Sequence, residues 1–166
     1  MWWLLVITFL LSSLQLTLVP FVFVSGTMID LVLVFVMSWA MLKKGSSALW
    51  LAFLAGLVLN QYSALHMGFL PLFYVVIAYL ATLVSSDMID NNWLLAVVLG
   101  FTLSGLFELL VLLSFWFGGH NLFTLDYLSQ IVLVRVLLNT TFMLLLFPVL
   151  RALNSNLNQR HKALLP

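Results

Sequence analysis

Two ionisable residues stand inside long apolar stretches of this chain, Glu108 and Arg135. A charge in hydrocarbon costs about 2.5–3.5 kcal/mol even on lenient insertion scales, so each needs a partner. The apolar run holding Glu108 ends near Phe117, and the run holding Arg135 begins near Tyr127, so each charge lies about 8 or 9 residues from the same turn. At 1.5 Å per residue both sit roughly 12–14 Å deep on consecutive antiparallel helices. The spacing predicts an intramembrane Glu108–Arg135 ion pair. Such a pair can lock two helices together or relay a proton or substrate, and the lock is the preferred reading. Gly100, Ser104 and Glu108 recur every four residues, as do Arg135 and Asn139, so these faces are small or polar and can approach closely. Asn139, Thr140 and Thr141 are expected to add hydrogen bonds there.

Other chemistry finds no support in the sequence. There is no cysteine, no H-E-x-x-H, no G-x-S-x-G and no glycine-rich phosphate loop. His66, His120 and His161 fall in loops or the tail. Glu108 is the only acid well inside an apolar run, where intramembrane hydrolysis would want a second carboxylate or a serine with a base. The expectation is a protein that is not an enzyme and holds neither metal nor cofactor. Six Lys and Arg with a net charge of +1 exclude a nucleic-acid footprint.

The elements that must carry these residues are helices in a bilayer. Hydrophobic residues make up 64% of the 166 and charged ones 7%, against about 25% charged in soluble domains. Polar or glycine-containing breaks divide the chain into six apolar segments, at 2–19, 28–42, 47–61, 69–85, 93–117 and 127–150. The segments at 28–42 and 47–61 fall short of the roughly 20 residues a full span needs; they are expected to tilt little, to thin the bilayer locally, or together to form a hairpin that does not fully cross. The first run, Trp2–Val19, lacks a basic lead and a small-x-small cleavage site, so it is taken as a helix and not a signal peptide.

With six spans, Lys43, Lys44, Arg151, Arg160 and Lys162 all fall on one side, which the positive-inside rule makes cytoplasmic, together with both termini. The connection from Asp87 to Asn92 falls on that side too. Trp2, Trp3, Trp39, Trp50, Trp93 and Trp116 lie near segment ends, as interfacial tryptophans do, and Tyr62 and Tyr127 mark the outer side. The fold class is therefore an all-α, polytopic membrane bundle: one six-helix domain over 1–153 and a short polar, basic tail over 154–166.

Several residues have ordinary structural readings. Ala48, Ala52, Gly56 and Asn60 recur every four residues as a helix-packing stripe. Asp30, three residues after Thr27, suits a capping box at the start of the second segment. Asp126 and the residues Asp90–Asn92 suit the starts of the sixth and fifth segments. Gly68 precedes Pro71 in the first turn of the fourth, and Pro148 is expected to kink the last.

Three stretches resemble the MreD family, small polytopic membrane subunits of the bacterial rod-shape machinery. The first is Gly26-Thr27-Met28-Ile29-Asp30-Leu31-Val32-Leu33, after a turn containing Pro20. The second is Phe53-Leu54-Ala55-Gly56-Leu57-Val58-Leu59-Asn60, followed by Gly68, Tyr74 and Tyr79, similar to an F-x-x-G-L-x-x-D stretch with a Gly opening the next helix. Asn60 stands where Asp is usual, which removes the carboxylate from that position. The third is Phe147-Pro148-Val149-Leu150-Arg151.

This resemblance implies a non-enzymatic scaffold of the cytoplasmic membrane that binds MreC through the small-residue stripe or the outer loops. It also implies a shared complex with MreB, RodA and a penicillin-binding transpeptidase, coupling MreB filaments to peptidoglycan synthesis. The family has been likened in fold to the S component of energy-coupling-factor transporters. That supplies the alternative, a vitamin or small-solute binder using Glu108, Arg135, Asn139 and Asn60.

Overall fold

The computed structural model describes residues 2–17, 26–43, 45–63, 68–83, 93–120 and 122–163. Pro20, Lys44, His66 and the connection from Asp87 to Asn92 lie outside the described residues, as do the side chains of Trp2, Trp3, Trp93, Arg160, His161 and Lys162. The described residues form six helices of twelve residues or more: α1 (Trp2–Thr17), α2 (Leu31–Leu42), α3 (Ser46–Asn60), α4 (Phe69–Leu83), α5 (Trp93–Phe117) and α6 (Leu133–Ala163). One α-helical turn (Leu125–Tyr127) and a π-helical turn (Leu128–Val132) lead without a break into α6. The α6 backbone then runs through Pro148 and across the expected domain–tail boundary to Ala163.

Two of these stretches, Leu94–Phe117 and Leu125–Ser155, are long and apolar enough to cross a membrane; the other four helices are apolar but shorter. Unlike a water-soluble domain, the bundle is apolar outside as well as inside, and several of its polar side chains lie within. Thr8, Ser12, Thr27, Ser38, Ser104, Glu108 and Asn139 are buried, whereas Phe9 is 68% exposed, Val98 60% and Leu145 65%. Along α5, Leu94, Val98 and Phe101 face outward at spacings of four and three, while Gly100 and Ser104 turn inward.

At the centre is α2, which contacts all five other helices. Its sequence is apolar on every side, and a helix of that kind is stable only when enclosed. Val32, Leu33, Val34, Val36 and Met37 are fully buried. The lone hydroxyl among them, Ser38, donates to the Val34 carbonyl at 2.7 Å and leaves nothing unpaired. Twelve residues span only about 18 Å. The second apolar segment was expected to begin at 28 and to thin the bilayer or turn back. Residues 28–30 are instead non-helical, and α2 starts at Leu31 inside the bundle, with its short length enclosed by its neighbours.

The α3–α4 pair is held close where Gly56 faces the backbone of Pro71. Pro71 sits in the first turn of α4, where its missing N–H has no helical partner to lose. Gly68 opens that helix with φ +71°. α5 ends at Gly119, which takes φ +85°, a conformation open to glycine at little cost; its N–H bonds the Trp116 carbonyl at 3.0 Å. This turn brings α6 back antiparallel to α5.

Candidate functional site

Helices α5 and α6 meet as a ladder with rungs every four residues. A Cβ on Gly100 would run into the Met143 sulfur; the Asn139 amide Nδ2 donates to Ser104 Oγ at 3.0 Å; and Arg135 Nη1 donates to both carboxylate oxygens of Glu108 at 3.2 Å. The ladder arises because each step of four along α5 is matched by a step of four along α6 in the opposite direction. The Glu108 side chain is 3% exposed and that of Arg135 30%.

The remaining capacity of these side chains goes to the non-helical lead into α2. Arg135 Nε donates to Thr27 Oγ1 at 3.1 Å. Asn139 Oδ1 accepts from the Asp30 N–H at 2.8 Å. From α1, the Gln15 amide spans two backbone groups, donating to the Ile29 carbonyl at 3.0 Å and accepting from the Leu31 N–H at 2.8 Å. From α4, the Tyr74 hydroxyl donates to Asp30 Oδ2 at 2.6 Å, and its ring meets Phe107 edge-on at 5.1 Å. Asp30 Oδ1 accepts from the Leu33 N–H at 2.9 Å and so caps α2. A chain that starts a helix inside a bundle leaves backbone groups that water cannot reach. Here side chains from α1 and α6 take up three of them.

This arrangement corrects several expectations. Thr27 does not cap a helix: Asp30 is itself the N-cap, and the Thr27 hydroxyl serves Arg135. Asp30 belongs to the same cluster as Glu108 and Arg135: its N–H donates to Asn139 and its carboxylate accepts from Tyr74. Thr140 and Thr141 donate to the Val136 and Leu137 carbonyls of their own helix and add nothing between helices. Ala48, Ala52 and Gly56 are buried within the bundle, so this stripe is not available to a partner protein. Asn60 ends α3 away from the cluster, its Oδ1 buried without a hydrogen-bond partner among the described residues. Asp126 lies in the first turn before the π-helix, where Thr124 provides the cap at 3.3 Å.

Gln15 and Tyr74 were not singled out as polar partners. A lone glutamine at an inward position of an apolar helix is a usable signal, but its partner is backbone, which leaves no trace in a side-chain pattern.

Beside the cluster lies a cavity of about 450 Å³, walled by Asp30, Arg135, Tyr74, Phe107 and Phe115 and extending to Tyr62 and Tyr127 at the helix ends. On the other side of Asp30, the buried apolar body of α2 closes it off. The cluster can hold a helix start in place and present charge to the cavity. Glu108 has both oxygens engaged by Arg135, and no group of three His, Asp or Glu side chains suited to a metal exists among the described residues.

Asn139→Leu is expected to cost about 2 kcal/mol, since it leaves the Asp30 N–H and the Ser104 hydroxyl unpaired in a dry interior. Thr140→Val is expected to stay within about 0.5 kcal/mol. Thermal unfolding of the detergent-solubilised variants compares the two; equal losses would deny Asn139 its bridging role.

The chain matches no protein-family model, no curated protein and no solved structure.

Proposed function

We propose that this chain is a six-span, non-enzymatic scaffold subunit of the bacterial cytoplasmic membrane, of MreD type, with both termini cytoplasmic. In this reading it binds MreC and helps couple MreB filaments to peptidoglycan synthesis by RodA and a penicillin-binding transpeptidase. The observation that carries the membrane part is the apolar exterior around a partly polar interior: buried charges and amides joined to one another, surrounded by exposed Phe, Leu and Val. Exposed Trp50 and Trp116, each near a helix end, suit the headgroup level.

The scaffold part rests on the sequence resemblance and on how the polar groups are spent. Glu108, Asn139 and Gln15 fix helices and backbone to one another, which favours a rigid body that presents surfaces over one that moves a solute. With the small-residue stripe enclosed, the MreC contact falls to the outward faces of the helices or to the outer connections.

The test is co-purification. Tagged chain, co-expressed with MreC and extracted in mild detergent, is expected to bring MreC with it in near-equal amount. Recovery of the chain alone from membranes that contain both would defeat the scaffold reading.

A further inference from the structure

Asp30 is the one carboxylate in the cluster that no cation answers directly. Glu108 and Arg135 neutralise each other through two 3.2 Å bonds. What Asp30 receives is the Tyr74 hydroxyl and the Leu33 N–H, both dipoles, at the start of α2. The three residues thus set two carboxyl groups against one guanidinium. The Asp30 carboxylate stands in the wall of the 450 Å³ cavity, together with the Arg135 side chain, a set of aliphatic side chains and five aromatic ones: Tyr74, Phe107, Phe115, Tyr127 and Tyr62.

We infer that the cavity binds a small organic cation, with its ammonium group on Asp30 and its apolar body among Phe107, Phe115 and Tyr127. Three considerations select that class. Aromatic faces carry negative potential and attract ammonium groups, most strongly where water is excluded. An anion would meet the Asp30 carboxyl group, while Arg135 already donates to Glu108 and Thr27. A metal ion would need several further oxygen or nitrogen ligands, which the described residues do not gather. The volume falls within the range of small-molecule sites, about 300–1,000 Å³. The inference stands whether or not the chain acts as a scaffold.

Three probes of nearly one shape separate the possibilities: 2-phenylethylamine, 2-phenylethanol and 3-phenylpropanoate, titrated into the purified full chain in detergent with thermal unfolding and calorimetry as readouts. The amine is expected to raise Tm saturably, and the alcohol and the carboxylate to leave it unchanged. Asp30→Asn keeps an oxygen for the α2 cap and is expected to weaken amine binding by about tenfold or more. Val111→Phe narrows the cavity without touching any charge and is expected to abolish binding. Equal shifts from the alcohol or the carboxylate would overturn the inference. So would amine binding that survives both substitutions, since that behaviour belongs to partition into the micelle.

Discussion

Arg135→Gln is expected to cost the bundle about 3–5 kcal/mol, and Glu108→Gln distinctly less, about 1–3 kcal/mol. The asymmetry comes from burial. With the guanidinium gone, Glu108 loses both of its 3.2 Å hydrogen bonds while its side chain stays 3% exposed. With the carboxylate gone, Arg135 keeps its bond to Thr27 and, at 30% exposure, can turn toward the cavity. The double substitution leaves neither member of the pair charged and alone, so its cost should fall well below the sum of the singles. Reversible unfolding in mixed micelles, analysed as a double-mutant cycle, measures the coupling. Additive losses, or a larger loss for Glu108→Gln, would show that the two residues do not lock α5 to α6.

Gly56→Val is expected to be nearly as damaging, at about 3 kcal/mol. A Cβ there would overlap the Pro71 backbone, and backbone cannot rotate away. Proline has no alternative φ to offer, so α3 and α4 would have to separate. Gly100→Ala provides the contrast: the obstructing atom is the sulfur of Met143, the flexible part of an adaptable side chain, and the expected loss is about 1 kcal/mol or less. Tm values of the two variants in one detergent decide the point. If both glycines tolerate the change equally, the α3–α4 contact is looser than the Pro71 geometry implies.

What the sequence made legible here is what periodicity and depth can encode. The Glu108–Arg135 distance follows from two antiparallel helices of known rise, and the Ser104–Asn139 rung follows from the same four-residue step. The recess of α2 was not legible. Met28 and Ile29 are as apolar as the helix that follows, so hydropathy marks no boundary at Asp30, and the acid reads as part of an ordinary capping box with Thr27. Gln15 was passed over because its partners are backbone groups of residues distant in the chain. Thr140 and Thr141 misled in the opposite direction: threonines inside a helix can satisfy themselves on the preceding turn, and the sequence does not tell that state from an interhelical bond. The π-helical turn before α6 has no mark in residue type that would have announced it.

The enclosure of α2 bears on how the protein comes to exist. A helix about 18 Å long, shorter than the roughly 30 Å of hydrocarbon and begun by an acid, gains little by inserting alone. In the proposed membrane setting, α5 and α6, the two stretches long and apolar enough to cross, would stand first as independent rods. α2 joins only when Gln15, Tyr74 and Asn139 are in position to receive its first turn. On that order, assembly of the bundle would close on its central helix, since the burial of Val32–Met41 is what unites helices from both halves of the chain.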